Sequence, residues 1–224
     1  MQKIRLGMVG GGQGAFIGEV HRIASRLDNR FDLVAGSLSS DPTRAAESAV
    51  DLGISNDRSY ANFADMAIAE SAREDGIQAV SIVTPNHLHF PVAKVFLEAG
   101  IHVVTGRCVE IENPVKIIGA GRDKTIVQGG FMIRGNKEEE KKVELKNMTV
   151  KGAKNNGLHA SNGLSFLCKD MTFTQCRTGV YASNTKGRLI NCVITQCGYS
   201  GIFCGENALI ELEGDQTKVD GNGT

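Results

Sequence analysis

A glycine-rich hexapeptide near the start of the chain has the residue types of a phosphate-binding turn. Residues 10–15 read Gly-Gly-Gly-Gln-Gly-Ala and fit the pattern G-x-G-x-x-A. Glycines at these positions let the backbone approach a pyrophosphate, whose charge is stabilised by the free amides and the positive dipole end of a following helix. The pattern also fits a tight strand-to-helix turn without a ligand, so its context has to decide between the two.

A second polar segment, Thr84-Pro85-Asn86-His87-Leu88-His89, follows the buried apolar run of residues 79–83. It combines hydroxyl, amide and imidazole groups at the end of a predicted strand. Residue type alone places His89 on a helix face and His87 at a helix N-terminus, with no ligand required.

Strands and helices alternate around these two segments. The apolar run Ile4–Val9 precedes the glycines, and apolar residues then recur at spacings of three and four, at Ile17, Val20, Ile23, Ala24 and Leu27. A second run covers residues 31–38, Asp41-Pro42 is suited to start a helix that ends at Gly53, and residues 79–83, 88–99 and 102–104 predict strand, helix and strand. Such alternation predicts a parallel sheet that binds ligands beyond the carboxyl ends of its strands.

The end of the second strand bears on the choice of dinucleotide. An acidic residue there normally binds the ribose hydroxyls of NAD, but this chain has Ser39 and Ser40. No carboxylate therefore opposes a 2′-phosphate, and Arg44 could supply a cation one helical turn later. These residues make NADP admissible and even favoured beside NAD, while a simple lead into the helix cap with a solvated Arg44 explains them equally well.

Residues 3–105 resemble the N-terminal domain of the Gfo/Idh/MocA oxidoreductase family. The resemblance rests on the glycine turn, on the Thr84 to His89 segment, and on Glu98-Ala99-Gly100-Ile101-His102-Val103-Val104. It implies binding of NAD or NADP and hydride transfer to or from a sugar-like alcohol. The implied cofactor-binding residues are Gly10, Gly12, Gln13, Ala15, Phe16, Ile17, Ser39, Thr84, Pro85, Asn86 and His89.

The resemblance fails where the family carries a catalytic candidate. In that family the strand corresponding to Val103-Val104 leads into a motif of acid, lysine and proline, whereas this chain continues Thr105-Gly106-Arg107-Cys108. Arginine keeps its proton at ordinary pH, so Arg107 cannot replace a tunable lysine as an acid–base group. The family's substrate domain has no counterpart downstream, so no catalytic residue is assigned.

Residue usage changes near residue 106. Most alanines precede this point, whereas most asparagines and all six cysteines follow it. A glycine, apolar, bulky, small pattern then recurs at intervals of 22 residues, beginning at Gly157, Gly179 and Gly201. Repetition at this length predicts a parallel β-helix of four or five coils, with these glycines stacked in equivalent turns. We predict two domains: a Rossmann-type α/β sheet over 1–106 and an all-β, right-handed parallel β-helix over 107–224.

The second half resembles pectate-lyase-like β-helix proteins over about residues 112–224. The opening Val115 to Thr125 contributes to this resemblance. Members that cleave polysaccharides need clustered carboxylates, but Asp170, Asp215 and Asp220 do not recur at the coil period. The cysteines contain no C-x-x-C pair, so we predict inward-stacked thiols and no metal site.

Charge and targeting signals exclude several classes of protein. Lysine plus arginine equals aspartate plus glutamate at 25 each, which argues against a nucleic-acid binder. No segment is long and apolar enough to span a membrane and no export signal is evident, so we expect reduced thiols in a cytoplasmic protein. The chain ends on Asp220 to Thr224 without a capping segment, which favours a natural or engineered chimera, or a fragment, that can self-associate through the open end.

Two functions remain open for the whole chain. The first is an NAD(P)-binding oxidoreductase-like protein, with incomplete catalytic machinery, fused to a β-helix. The alternative is a non-catalytic β-helix scaffold or carbohydrate-recognition protein that the first half merely caps.

Overall fold

The structure is a computed structural model that describes residues 3–27, 29–106, 108–135 and 141–223. The chain divides into two compact units, Met1–Gly106 (unit 1) and Arg107–Thr224 (unit 2). Across the described ranges, no helix is long and apolar enough to span a bilayer.

Unit 1 is a Rossmann-type α/β unit. Its strands are β1 Ile4–Val9, β2 Phe31–Ser37, β3 Ala79–Ile82 and β4 His102–Thr105, and its helices are α1 Phe16–Leu27, α2 Pro42–Asp51, α3 Phe63–Ala72 and α4 Asn86–Glu98, with a 3-10 turn at Asn56–Arg58. The strands are all parallel, in the order β4-β3-β1-β2. The parallel α/β sheet predicted from the alternation of elements is confirmed.

Local capping explains where two of the helices begin. The Asp41 side chain accepts a hydrogen bond from the Arg44 amide at 2.7 Å, and Pro42 occupies the first turn of α2. Asn62 caps α3 in the same way, through the Asp65 amide at 2.9 Å. The apolar runs did not predict α3, although this cap was a signal that could have indicated it.

The carboxyl ends of all four strands lie at one edge of the sheet. Val9 pairs with Ser37 on one side and with Ile82 on the other, and Ile82 pairs with Thr105. Because parallel strands bring their following loops to the same edge, the glycine turn, the Ser39 segment and the Thr84 segment converge there.

Unit 2 consists of short parallel strands in three sets of five within the described residues. The first set is β5 Val109–Ile111, β8 Phe131–Gly135, β11 Asn156–Gly163, β14 Thr178–Ser183 and β17 Ser200–Gly205. The second is β6 Lys116–Ile118, β9 Lys142–Lys146, β12 Ser165–Lys169, β15 Lys186–Ile190 and β18 Leu209–Glu213. The third is β7 Ile126–Gln128, β10 Thr149–Lys151, β13 Thr172–Thr174, β16 Val193–Thr195 and β19 Lys218–Asp220.

The register of unit 2 follows the 22-residue pattern. Leu158 pairs with Val180, and Val180 pairs with Ile202, so the adjoining glycines are stacked. A Cβ built on Gly157 would lie 2.8 Å from the Gly179 carbonyl oxygen, and one on Gly179 would lie 2.6 Å from that of Gly201. One detail of the expectation is corrected: the three glycines lie within strands β11, β14 and β17, where this close approach excludes a side chain.

Asparagine and aspartate occupy the sharp bends between the second and third strand sets. Asn147, Asp170 and Asn191 have φ values of 57°, 53° and 52°. These side chains tolerate the left-handed region better than other non-glycine residues, which explains the asparagine content of the second half. All six cysteines are free thiols, and Cys168, Cys176, Cys192 and Cys197 are buried in unit 2.

Candidate functional site

The glycine turn leaves β1 with its backbone held by the neighbouring strand. Gly10 and Gly11 have φ values of 78° and 77°, a region that disfavours side chains. The Gly10 amide donates to the Ser37 carbonyl at 2.8 Å, and the Gly12 amide donates to the Leu38 carbonyl at 3.1 Å. The turn is therefore fixed before any ligand arrives.

Helix α1 approaches this turn very closely. A Cβ on Gly18 would lie 2.4 Å from the Gly11 Cα, so only glycine fits there. Arg22, one turn further along α1, donates from Nη1 to the Gly11 carbonyl at 2.5 Å. The amides of the first turn of α1 lack partners within the helix, and they are held against the end of β1. Sequence reasoning missed Gly18 and Arg22, because only the three-dimensional approach of α1 to the turn gives them this role.

The Thr84 segment borders the turn on its other side. A Cβ on Gly10 would lie 3.2 Å from the Thr84 amide nitrogen and from its Cγ2. Thr84 Oγ1 is the one buried side-chain oxygen or nitrogen without a hydrogen-bond partner in the part of the chain that the structure describes. A buried hydroxyl without a partner is energetically costly, so one at this edge fits a ligand hydroxyl or phosphate oxygen.

His89 lies behind the Thr84 segment and not on its surface. It is 4% exposed, its Nε2 lies 3.0 Å from the Thr84 carbonyl oxygen, and its Nδ1 lies 3.2 Å from Thr105 Oγ1. The resemblance implied that His89 lines the cofactor site. The structure shows contacts through which His89 holds the Thr84 backbone, and its role in cofactor binding stays a prediction.

The remaining candidates differ in exposure. Pro85 and Asn86 are exposed at the start of α4. Phe16 and Ile17, at the start of α1, are 74% and 50% exposed. Ala15 follows the glycines, and its amide donates to the Gly12 carbonyl at 3.1 Å. These residues surround the turn and are accessible to a ligand.

Ser39 and Gln13 are engaged within the protein. Ser39 Oγ accepts from the Asp41 amide at 3.1 Å, which favours its role as a lead into α2. Arg44 is exposed, with its side chain available at this edge. The Gln13 side chain donates from Nε2 to Asp51 Oδ2 at 2.6 Å, so a ligand would meet the Gln13 backbone sooner than its amide group.

The site fits a dinucleotide on two counts. The glycine turn before α1 offers backbone amides to a pyrophosphate, and the Thr84 segment that borders the turn holds a buried hydroxyl without a hydrogen-bond partner among the described residues. The prediction about Arg107 lies outside the described residues.

A second candidate site is a groove of about 360 Å³ in unit 2. One side is a column of residues in register on neighbouring strands, namely Met132, His159, Tyr181 and Phe203. The ring centroids of His159 and Tyr181 are 4.7 Å apart, and those of Tyr181 and Phe203 are 5.1 Å apart in a parallel stack. The other side includes Asn155, Arg177 and Tyr199, with the Arg177 guanidinium 5.8 Å from the Tyr199 ring centroid. Sequence reasoning missed this site because its residues are distant in the chain.

The first half of the chain is similar to known oxidoreductases. Residues 4–110 match the model described as "Oxidoreductase family, NAD-binding Rossmann fold", GFO_IDH_MocA. An uncharacterized oxidoreductase, YfiI of Bacillus subtilis, is 43% identical over 102 residues, which are 45% of this chain and 26% of that protein. Levoglucosan dehydrogenase of Pseudarthrobacter phenanthrenivorans is 31% identical over 137 residues, which are 57% of this chain and 32% of that protein.

A solved structure gives a similar match. The inositol dehydrogenase homolog from Azotobacter vinelandii, complexed with NAD+, has 47% sequence identity and a TM-score of 0.45, covering 46% of this chain and 27% of that one. The chain thus spans about a quarter to a third of the length of these relatives. Over residues 4–110 the chain is thus similar to the NAD-binding Rossmann domain of the Gfo/Idh/MocA oxidoreductase family.

Proposed function

We propose that unit 1 binds NAD(H) along the carboxyl edge of its sheet, with the pyrophosphate at the glycine turn and a ribose or the nicotinamide beside Thr84. The observation that carries this proposal is the glycine turn before α1, where Gly10 lies against the Thr84 amide nitrogen and Cγ2, while Thr84 Oγ1 is buried without a hydrogen-bond partner among the described residues. When bound, a nicotinamide dinucleotide supplies a hydride donor or acceptor, and the chain supplies the binding groups and their orientation.

The direct test is to titrate the full chain with NADH and, separately, with NADPH. The fluorescence of the reduced nicotinamide measures binding. We expect saturable binding of NADH. The titration with NADPH tests whether Arg44 binds a 2′-phosphate, which would meet no carboxylate at Ser39 or Ser40. Fluorescence that never saturates with either cofactor would overturn the assignment of the site.

We further propose that the chain binds the cofactor without efficient turnover. Arg107 stands where the family carries its lysine, and both ring nitrogens of His89 lie against Thr84 and Thr105. Loss of an acid–base group costs about 10² to 10⁴ in rate, and loss of substrate orientation costs more. Levoglucosan and inositol appear in the names of similar proteins. They should be assayed first with NAD+, followed by other sugars and polyols. Oxidation of any of them at about 1 s⁻¹ or faster would contradict this proposal.

We propose that unit 2 is a right-handed parallel β-helix, joined to a partial oxidoreductase in a two-family fusion with its boundary at 106/107. The parallel pairing of strands three apart in chain order supports this architecture. A right-handed path is the general rule for connections between parallel strands. Limited proteolysis should then cut first near residue 107 and leave two resistant fragments. A first cut within β8 to β16 would contradict the boundary, and an experimental structure would decide the handedness.

The aromatic groove favours carbohydrate recognition as a second function. Aromatic side chains provide apolar contact to sugar rings, while Asn155 and Arg177 provide hydrogen-bond donors around it. Arg177 makes no ion pair with any described residue, and no carboxylate lines the groove. An anionic sugar would therefore be favoured over a neutral one of the same length.

Calorimetric titration with neutral and uronate-containing oligosaccharides of equal length tests this second function. Tyr181→Ala should weaken binding at least tenfold. Leu209→Ala alters an exposed apolar residue on β18, outside the groove lining, and should leave affinity unchanged. Equal affinity in wild type and Tyr181→Ala would remove the groove from consideration.

A further inference from the structure

A buried hydroxyl on α2 holds the glycine turn from below. Ser48 is 1% exposed, and its Oγ accepts a hydrogen bond from the Gln13 amide at 2.9 Å. The same oxygen donates to the Arg44 carbonyl at 2.6 Å. The hydroxyl therefore both accepts and donates a hydrogen bond. Its proton points to the Arg44 carbonyl oxygen in the α2 backbone.

The contact between Ser48 and the turn is sterically close. A Cβ built on Gly12 would lie 2.7 Å from Ser48 Oγ and 3.0 Å from the Leu38 carbonyl oxygen. The Gly12 amide is also engaged by that carbonyl. Two successive amides of the turn are therefore fixed by groups outside it, and this fixes the direction in which the following amides point.

Helix α2 links the two ends of the candidate site. Its N-terminus begins at the Asp41 cap, just after Ser39, and its next turn carries Ser48 under the glycine turn. A shift of α2 would move the ribose side and the pyrophosphate side together. Gln13 adds a second, exposed link through Asp51.

We infer that Ser48 is a positioning residue for dinucleotide binding: its hydroxyl holds the Gln13 amide so that the turn presents its free amides to the pyrophosphate. This inference rests on the proposed function of unit 1. Ser48 does not contact the ligand, and its effect is transmitted through the turn backbone. Removing it takes away the acceptor of the Gln13 amide, in a partly buried hydrogen bond, and lets the turn relax.

The test is Ser48→Ala in the full chain, with titration of NADH, ADP and adenosine. We expect binding of NADH and ADP to weaken about fivefold to twentyfold, since both place a pyrophosphate on the turn. Adenosine carries no phosphate, so its affinity should change less than twofold. A purely structural role of Ser48 would weaken all three ligands alike.

Ser25→Ala is the matched control. Ser25 Oγ donates to the Arg22 carbonyl at 2.9 Å, so this variant also removes a helical serine's bond to its own backbone, away from the turn amides. We expect it to bind NADH as wild type does. Equilibrium unfolding in urea of both variants separates loss of stability from loss of affinity.

The outcomes distinguish the two proposals. If wild type does not bind NADH, the proposed function fails and the role of Ser48 fails with it. If wild type binds and Ser48→Ala binds equally well, or if adenosine weakens in parallel, only the positioning role fails. Should Ser48→Ala not fold, hydrogen exchange of the Gln13 amide in wild type provides the answer: slow exchange supports the inference, and exchange as fast as in an open loop overturns it.

Discussion

Gly10 and Thr84 face each other at the carboxyl edge of the unit 1 sheet. A Cβ on Gly10 would lie 3.2 Å from the Thr84 amide nitrogen and Cγ2, and Thr84 Oγ1 is buried without a hydrogen-bond partner among the described residues. The absence of a side chain at residue 10 lets the two loops approach.

Replacement of Thr84 by valine separates stability from binding. Valine keeps the shape of the side chain and removes a buried hydroxyl that has no partner, so the free energy of unfolding should stay equal or rise. NADH affinity should fall about threefold to tenfold, the value of one hydrogen bond to a neutral group. Titration with NADH and unfolding in urea measure the two effects. The control Thr84→Ser keeps the hydroxyl and should bind NADH as wild type does. A valine variant that binds as tightly as wild type would show that the hydroxyl does not contact the cofactor.

Gly12→Asp should abolish NADH binding. Any side chain there meets Ser48 Oγ and the Leu38 carbonyl, and a carboxylate adds a negative charge next to the pyrophosphate. Gly198→Asp is the control, because the nearest atom to its Cβ is 4.0 Å away and it lies in unit 2. NADH fluorescence titration, with circular dichroism to verify folding, measures the effect. Unchanged affinity in a folded Gly12→Asp protein would move the cofactor away from the turn.

The buried ion pair of Arg58 and Glu70 should dominate the stability of unit 1. Arg58 Nε donates to Glu70 Oε1 at 3.0 Å, Tyr60 donates to the same oxygen at 2.8 Å, and Glu70 is 1% exposed. Burial and the bond to Glu70 raise the pKa of Tyr60 to about 12. Glu70→Ala leaves the buried Arg58 cation with the exposed Asp75 carboxylate, 3.6 Å away, as its anionic partner among the described residues, and should lower the free energy of unfolding by about 3–5 kcal/mol. Glu98→Ala removes an exposed i,i+4 ion pair with Lys94 and should change the free energy of unfolding by less than about 1 kcal/mol. Equal losses in urea unfolding would contradict this ranking.

Mild acid should destabilise the protein through its half-buried histidines. Burial lowers the pKa of His21, His102 and His159 below the ordinary value of 6.5, and the nearby His89 lowers that of His21 further. Between each lowered pKa and about 6.5, the unfolded chain binds more protons than the folded one, so stability rises with pH there and is lost as pH falls. Thermal unfolding from pH 7.5 to 5.5 should show a falling midpoint below about pH 6.5. His102→Gln should reduce the slope. A midpoint that rises on acidification would refute the assignment.

The sequence determined the elements whose signals are local. The glycine turn, the Asp41-Pro42 helix start and the strand at Ile4–Val9 follow from residue type, capping and apolar runs over a few residues, and the structure has all three. The 22-residue recurrence also predicted which residues pair, since Leu158 and Val180 are in register. Such signals are readable because backbone conformation at each site depends mainly on neighbours in the chain.

Only the tertiary structure decided which polar groups find partners. His89 belongs to a segment that resembles a cofactor site, yet its ring lies between Thr84 and Thr105 because α4 packs against β4. Ser48 follows the Gln13 amide that it binds by 35 residues, and nothing in its own segment marks it. Burial and hydrogen bonding between distant segments depend on how elements pack, and a single sequence carries no local record of that packing.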